Sequence, residues 1–135
     1  MKELTLKATV ENIVPVTAFV ESTLEEVGCP MKAQMQINVA LDELFGNIAR
    51  YAYTPEVGDV TVQVDFDEAE RIVSITLIDS GSPFNPLLTK EPDVTMSAEE
   101  RQIGGLGIFL VRKTMDALEY HFQDGHNILT FRKRI

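Results

Sequence analysis

The chain has 135 residues, of which 44% are hydrophobic, so it suits one packed domain and lies outside the range of disordered chains. The formal net charge of −9 at pH 7 disfavours nucleic acid as a partner, because an acidic surface repels phosphate backbones. No apolar run reaches membrane-spanning length, the first residues lack a signal peptide's apolar block, and a single cysteine allows no internal disulfide, so we expect a cytoplasmic protein without membrane contact.

The first two predicted elements are a strand and a helix. Residues 2–10 alternate with the period of two that is typical of a half-buried strand. In the helix that follows, apolar residues recur at spacings of three and four, and Gly28 is its predicted end. These apolar residues are Val16, Phe19, Val20, Leu24 and Val27.

The second predicted helix begins near Pro30, runs to about Tyr53 and carries two stripes. The core stripe steps by four, three, four and three residues through Ile37, Leu41, Leu44, Ile48 and Tyr51. A mostly polar stripe beside it consists of Gln36, Ala40, Glu43, Asn47 and Arg50. Because Glu43 and Asn47 are one turn apart, we expect them to project from the same face of the helix.

Two strands joined by a hairpin are predicted next. One face of the first strand consists of Val60, Val62, Val64 and Phe66, and residues 67–70 form the hairpin. The second strand is an apolar run that ends at Asp79, where the segment "DSGSPFNP" begins. An acid, two serines, a glycine and two prolines end that strand abruptly, either in an ordinary turn or at a ligand site.

The segment 82–103 has three prolines, several charges and no sustained period. A structureless segment of this length is usually a lid or binding loop, or else disordered. After it, "GGLG" opens a helix whose core face consists of Ile108, Val111, Met115 and Leu118. The last two predicted strands, residues 119–123 and 127–134, are joined by a turn at Asp124-Gly125.

Two groups of polar residues are candidates for chemistry, and each has a structural alternative. The Glu43 carboxylate can act as a general base, and the Asn47 amide oxygen can hold a hard cation such as magnesium, unless both belong to a solvated helix face. Asp79 can accept a hydrogen bond from an amine such as that of adenine, while Gly81 lets a flat ring approach the backbone. The alternative for this second group is an Asx turn.

The glycines that open the third helix form a third candidate, because free N–H groups and the helix dipole favour an anion. Other motifs fit poorly. There is no Gly-Lys-Ser/Thr of a P-loop, and no strand directly precedes the glycines as in the dinucleotide fingerprint. Two histidines and one cysteine argue against a zinc site, and Ser80 and Ser82 lack the setting of a hydrolase nucleophile.

The order of these features resembles the ATP-binding domain shared by gyrase, the heat-shock chaperone, histidine kinases and mismatch-repair ATPases. The segments "DELFGNIARYAY", "DSGSPFNP", "RQIGGLGIFLVRKTMDALEY" and "NILTFRKR" are most similar to the small serine/threonine kinases that act as bacterial anti-sigma factors. The resemblance covers nearly the whole chain. It implies a single α+β domain over residues 1–135, a two-layer α/β sandwich with a mixed, mainly antiparallel sheet and helices on one face. ATP would lie between the layers, under a lid at 82–103.

The resemblance also implies roles for individual residues. Glu43 matches the general base, Asn47 the magnesium ligand and Asp79 the contact to the adenine amine, with Gly81 leaving room for the ring. The other implied ATP-binding residues are Phe84, which begins the lid or lines the base pocket, Arg101 toward the terminal phosphate, Gly105, Leu106 and Gly107 at the phosphates, and Thr130 at the adenine edge. Arg50, one turn beyond Asn47 on the same face, is a candidate for contact with phosphate or adenine. One departure is Tyr51, where the family often has histidine, and its place on the core stripe predicts an effect on packing.

The implied activity is transfer of the terminal phosphate of ATP, with Mg²⁺, to a serine or threonine of an anti-sigma factor antagonist. The family also binds a sigma factor, and its members often pair as homodimers. Three alternatives stay open at this point. They are a non-catalytic ATP-binding module, a stand-alone ATPase that uses water, and a scaffold whose glycines and acids only make turns.

Overall fold

The computed structural model describes residues 1–53, 56–88 and 105–135. The elements with their bounds are β1 (Lys2–Lys7), α1 (Ile13–Glu26), α2 (Met31–Asn47), β2 (Asp59–Asp67), β3 (Ile72–Asp79), α3 (Gly105–Thr114), β4 (Ala117–Gln123) and β5 (His126–Arg134). A π-helical turn, Ile48–Ala52, directly follows α2. No helix in these described ranges is both long and apolar enough to cross a bilayer.

The five strands form one sheet in the order β1-β2-β3-β5-β4, and every neighbouring pair is antiparallel. The expected two-layer α+β architecture is confirmed, and the described strands contain no parallel pairing, so the sheet is not mixed. The register pairs Asp79, at the end of β3, with Asn127, at the start of β5. These two strands therefore bring a carboxylate and an amide together at one end of the sheet.

The core lies between the helices and one face of the sheet. Alternate residues of β2 and β3 are buried on that face, as their period of two predicts. The first four residues of the predicted core stripe of α2, Ile37, Leu41, Leu44 and Ile48, are buried too. Val16, Val20 and Leu24 of α1 and Ile108 and Val111 of α3 complete the helical layer.

Two tight turns use left-handed backbone. Asp124 and Gly125 between β4 and β5 have φ of 53° and 80°, the combination that a two-residue type I′ hairpin requires. Gly28, with φ of 70°, follows α1, where the left-handed conformation ends a helix. Both positions agree with the turns predicted from the sequence.

The end of α2 differs from the prediction, and Tyr51 is not a core residue. Hydrogen bonds of a π turn span five residues rather than four, so the winding after Ile48 is wider. This shift turns Ala52 toward the core, where it is 8% exposed, and leaves Tyr51 55% exposed. The expected effect of Tyr51 on packing is therefore corrected: its ring lies at the surface.

The third helix is shorter than predicted. It ends at Thr114, whose carbonyl oxygen accepts a hydrogen bond of 2.7 Å from Lys133 Nζ. Met115 is buried just after the helix, while Leu118 belongs to β4 and is only partly buried. A lysine on the last carbonyls of a helix is favourable for the helix dipole as well as for the unpaired carbonyls.

Candidate active site

A narrow, mainly apolar pocket lies between the end of α2 and the sheet. Its empty space, including the part open to solvent, is about 360 Å³. Among the described residues that line it, Asp79 carries the only formal charge. The lining residues are Leu44, Asn47, Ile48, Ala52, Asp79, Ser82, Phe84, Pro86, Tyr120, Asn127 and Leu129. An apolar slot with a few directed polar groups is the usual form of a small-molecule site.

The Asp79 carboxylate is 4% exposed, and the protein donates hydrogen bonds to one of its two oxygens. Its Oδ1 accepts hydrogen bonds of 2.9 Å from the Gly81 amide and from Asn127 Nδ2. The bond to Gly81 is the Asx turn that stood as the structural alternative. Within the described ranges no donor reaches Oδ2, so this oxygen is left for a donor on a ligand in the pocket.

Asn127 is the site residue that the sequence analysis missed. It is 5% exposed, and its Nδ2 also donates to the Ser82 carbonyl at 3.0 Å. Its Oδ1 accepts from the Phe84 amide at 3.1 Å and from the Tyr120 hydroxyl. One amide thus joins β3, β4, β5 and the segment after Asp79. A polar residue at an inward position of β5 was the signal that could have identified it.

Thr130, which the resemblance implies at the adenine edge, does not line this pocket. Asn127, Leu129 and Phe131 are the buried positions of β5, so Thr130 points to the other face of the sheet. There its Oγ1 shares a hydrogen bond of 3.0 Å with Thr76 Oγ1. The structure does not bring Thr130 to the pocket, and the polar residue of β5 that reaches Asp79 is Asn127.

Gly81 is held against the end of the π-helical turn. A Cβ at this position would lie 2.3 Å from the Ala52 carbonyl oxygen, to which Ser82 donates a backbone hydrogen bond of 2.9 Å. A side chain here would push the turn away from Ala52. Close backbone packing, rather than room for a ring, is the requirement for glycine that the geometry displays.

Two aromatic rings lie near the pocket. Phe84 lines it, and the Phe84 ring centroid is 6.4 Å from that of Tyr51, with 48° between the planes. Both side chains are exposed. Phe84 therefore belongs to the pocket lining, whereas Tyr51 reaches the region only through its contact with Phe84.

A second, wider cavity lies beside Glu43, with Arg50 and Gly107 also in its lining. The Glu43 side chain is hydrogen-bonded to Asn47, which lines the first pocket, so the pair stands at the border between the two cavities. Burial raises the pKa of the Glu43 carboxyl, while the Arg50 charge and the bond to Asn47 oppose that shift. Its Oε1 is buried without a hydrogen-bond donor in the part of the chain described.

Gly107 packs directly on the Glu43 carboxylate. A Cβ at Gly107 would lie 2.2 Å from both Cδ and Oε2 of Glu43. Gly105 begins α3, so the first turn of this helix and its free N–H groups stand next to Glu43. Of the other implied phosphate residues, Arg101 lies outside the described residues, and the Leu106 side chain is likewise outside them.

Comparisons with known proteins find similar sequences over most of the chain. Residues 6–133 match the family described as the histidine kinase-like ATPase domain. The chain is 30% identical over 99 residues to the serine/threonine-protein kinase BtrW of Bordetella bronchiseptica, covering 73% of this chain and 69% of that protein. It is 24% identical over 131 residues to the serine-protein kinase RsbW of Bacillus mycoides, covering 94% of this chain and 81% of that one.

A solved structure shares the fold. The crystal structure of the RsbU and RsbW domains of a Mycobacterium tuberculosis protein superposes with a TM-score of 0.69 at 17% identity. The match covers 99% of this chain and 32% of that chain, so the present chain spans about a third of its length. At this identity the likeness concerns the fold alone.

Proposed function

The chain belongs to the histidine kinase-like ATPase domain family, and from this premise we propose that it is an ATP-dependent protein serine/threonine kinase. The observation that carries the proposal is the position of Glu43. This half-buried carboxylate has one oxygen without a donor in the described chain. It lines one cavity, is hydrogen-bonded to Asn47 of the other, and packs on Gly107 in the first turn of α3. The unpaired oxygen has no evident structural purpose, since leaving a buried acceptor without a donor costs stability.

The first pocket is proposed to take the adenine of ATP. The free Oδ2 of Asp79 accepts the exocyclic amine, and Asn127 keeps the carboxylate oriented through Oδ1. Leu44, Ile48 and Leu129 supply apolar contacts to the ring faces. Asn47 lines this pocket and is hydrogen-bonded to Glu43, so the phosphates are proposed to lie on its side, near the N–H groups at the start of α3.

The described protein groups at this site are too few to hold magnesium unless a nucleotide supplies further oxygen ligands. In the described part of the chain no cluster of three or more histidine, cysteine, aspartate or glutamate residues could hold a metal. Mg²⁺ commonly combines one or two protein oxygens with substrate phosphates, so the Asn47 amide oxygen and the phosphates would hold it. When bound, it offsets phosphate charge and thereby favours transfer.

Glu43 is proposed to take the proton of the acceptor hydroxyl. The hydroxyl oxygen then bonds to the terminal phosphorus as the bond to the bridging oxygen breaks, and ADP leaves with the electron pair. Burial raises the pKa of Glu43 toward the working pH, which makes the carboxylate a better base than an exposed one. Arg50, in the same cavity, is suited to bind phosphate oxygens.

The natural partners are proposed from the resemblance of the sequence motifs. The acceptor is a serine or threonine of an anti-sigma factor antagonist, and the chain also binds a sigma factor, with homodimer formation as a further proposal. We also propose that residues 82–103 form a lid over the nucleotide, most of which lies outside the described residues. A cytoplasmic location agrees with these partners.

The proposal is tested by phosphotransfer from labelled ATP, with magnesium, to a candidate antagonist protein. We expect Glu43→Gln to keep near-normal ATP affinity in calorimetry and to lose roughly 10²–10⁴-fold in transfer rate. Glu25→Gln, an equal change at an exposed position of α1, is the matched control and should transfer normally. ATP binding by the wild type with no transfer to any antagonist would instead identify a non-catalytic binding module.

A further inference from the structure

A groove between α1 and α2 leads away from Glu43. The cavity beside Glu43 shares Ile13 and Asp42 with a further open cavity, which continues between the two helices to Glu21 and Asn38. We call this surface the α1–α2 groove and define it by Ile13, Val14, Glu21, Asn38 and Asp42. None of these residues lines the pocket of Asp79, so the groove approaches the Glu43–Asn47 pair from a different side.

The groove carries more hydrogen-bond acceptors than donors among its charged and amide side chains. Asn38 Nδ2 donates to Glu21 Oε1 at 2.9 Å, while Asn38 Oδ1 is buried and meets no donor within the described ranges. Asp42 adds a second carboxylate to the same lining. Of the described residues, no lysine or arginine lines this part of the groove. The two carboxylates at the surface favour a cationic group with several donors, whereas the buried Asn38 oxygen is reached only if its side chain moves.

Apolar side chains flank these acceptors. Val14 is 74% exposed on α1, and Val39 is 47% exposed on α2, beside Glu43. Exposed apolar surface next to directed polar groups is typical of a protein–protein interface. The occupant that fits is therefore the surface of a protein that carries a basic side chain, rather than a small cation.

We propose that the α1–α2 groove docks the protein substrate and that Glu21 and Asp42 bind a lysine or arginine near its acceptor hydroxyl. This inference rests on the proposed kinase function, because only a kinase must bring a protein hydroxyl to Glu43 from outside the nucleotide pocket. The continuity of the groove with the cavity of Glu43 gives the substrate that route.

The spacing of residues along α2 indicates how far the basic residue of the substrate lies from its acceptor hydroxyl. Asn38, at the far end of the groove, precedes Glu43 by five residues, which is about 7.5 Å along the helix axis and about 140° around it. The path between the two side chains is longer than the axial rise and corresponds to roughly three or four residues of extended chain. Arginine fits better than lysine, since its planar group offers five donors to acceptors that lie side by side.

Binding of labelled peptides tests the inference without any need for phosphotransfer. Two fluorescein-labelled serine peptides differ only in carrying arginine or glutamate on both sides of the serine, three residues away. The groove variant is Glu21→Gln/Asp42→Asn. The control, Glu25→Gln/Glu68→Gln, removes the same charge from exposed positions outside the groove.

The wild type and the control should bind the arginine peptide more tightly than the glutamate peptide. The groove variant should lose about fivefold in affinity for the arginine peptide, as expected for pairs in a largely exposed site. Asp42→Lys should reverse the preference between the two peptides. Circular dichroism of each variant confirms that it is folded.

Equal affinity of the wild type for both peptides, or equal losses in the groove variant and the control, would overturn the inference. Self-association of the wild type that disappears only in the groove variant would assign the surface to a second copy and would also overturn it. Phosphotransfer is measured separately in the same samples. Selective binding with no transfer would count against the proposed function alone.

Discussion

Gly107→Ala should separate stability from catalysis, because the three atoms nearest to the added methyl group all belong to the Glu43 carboxylate. Ordinary contact begins at 3.4 Å, and the new Cβ would lie 2.2 Å from Glu43 Oε2, so the carboxylate must move by at least 1.2 Å. A misplacement of about 1 Å at a reacting group can cost roughly 10²-fold in rate. We therefore expect phosphotransfer to fall by about that factor.

The same change should not weaken the fold. The carboxylate is the flexible end of a long side chain, and alanine is favoured over glycine inside a helix by roughly 0.5–1 kcal/mol. The melting temperature should thus stay level or rise. Backbone N–H groups are unchanged, so ATP affinity should fall much less than the transfer rate.

The test compares four proteins: wild type, Gly107→Ala, Glu43→Ala and the double variant. For each we measure the rate of phosphotransfer, the ATP affinity by calorimetry and the melting temperature. If Gly107 acts through Glu43, the double variant should be no slower than Glu43→Ala alone. Full activity of Gly107→Ala would refute the reasoning, because the carboxylate would then work from a displaced position. Additive losses would mean that Gly107 acts independently of Glu43.

Three further outcomes are expected. Asp79→Asn should weaken ATP binding by about 1.5–3 kcal/mol in calorimetry, because an amide NH₂ in place of Oδ2 faces the adenine amine with a donor; unchanged affinity would move the base elsewhere. Asn127→Ala should lower both the melting temperature and the ATP affinity, while Thr130→Val, which alters the other face of the sheet, should leave ATP affinity unchanged. A larger loss of ATP affinity in Thr130→Val than in Asn127→Ala would reinstate the threonine at the adenine edge. Glu43→Gln should raise the melting temperature at pH 7, since a carboxyl whose pKa is raised by burial destabilises the fold progressively as pH rises through that pKa. The gain should shrink as the pH falls below the ordinary glutamate pKa of 4.5, where wild-type Glu43 becomes protonated in both states, and a gain that persists in full there would contradict its electrostatic origin.

Local patterns in the sequence were enough to predict the helices, the central strands and the position of Asp79. The period of α2 gave its core stripe as far as Ile48, because regular winding carries the pattern from turn to turn. The position of Tyr51 was not predictable in this way. The π-helical turn changes the winding at Ile48, and nothing in the apolar spacing indicates it.

Residues that act across the sheet were harder to predict than residues on one helix. The pairing of Asn127 with Asp79 depends on the register of β5 against β3, which is set over the whole strand pair. Thr130 was placed at the adenine edge by resemblance, although the alternation of Leu129 and Phe131 puts it on the other face. Counting alternate positions along β5 would have favoured Asn127, which lies on the same face as Leu129 and Phe131.

The hydrogen bonds of Asn127 couple nucleotide binding to residues 82–84, which follow Asp79 in the chain. The same amide holds the Asp79 carboxylate, the Ser82 carbonyl and the Phe84 amide. A nucleotide that engages Asp79 therefore changes the free energy with which residues 82–84 are held, and the relation is reciprocal. A partner protein that binds these residues must alter ATP affinity by the same factor by which ATP alters the partner's.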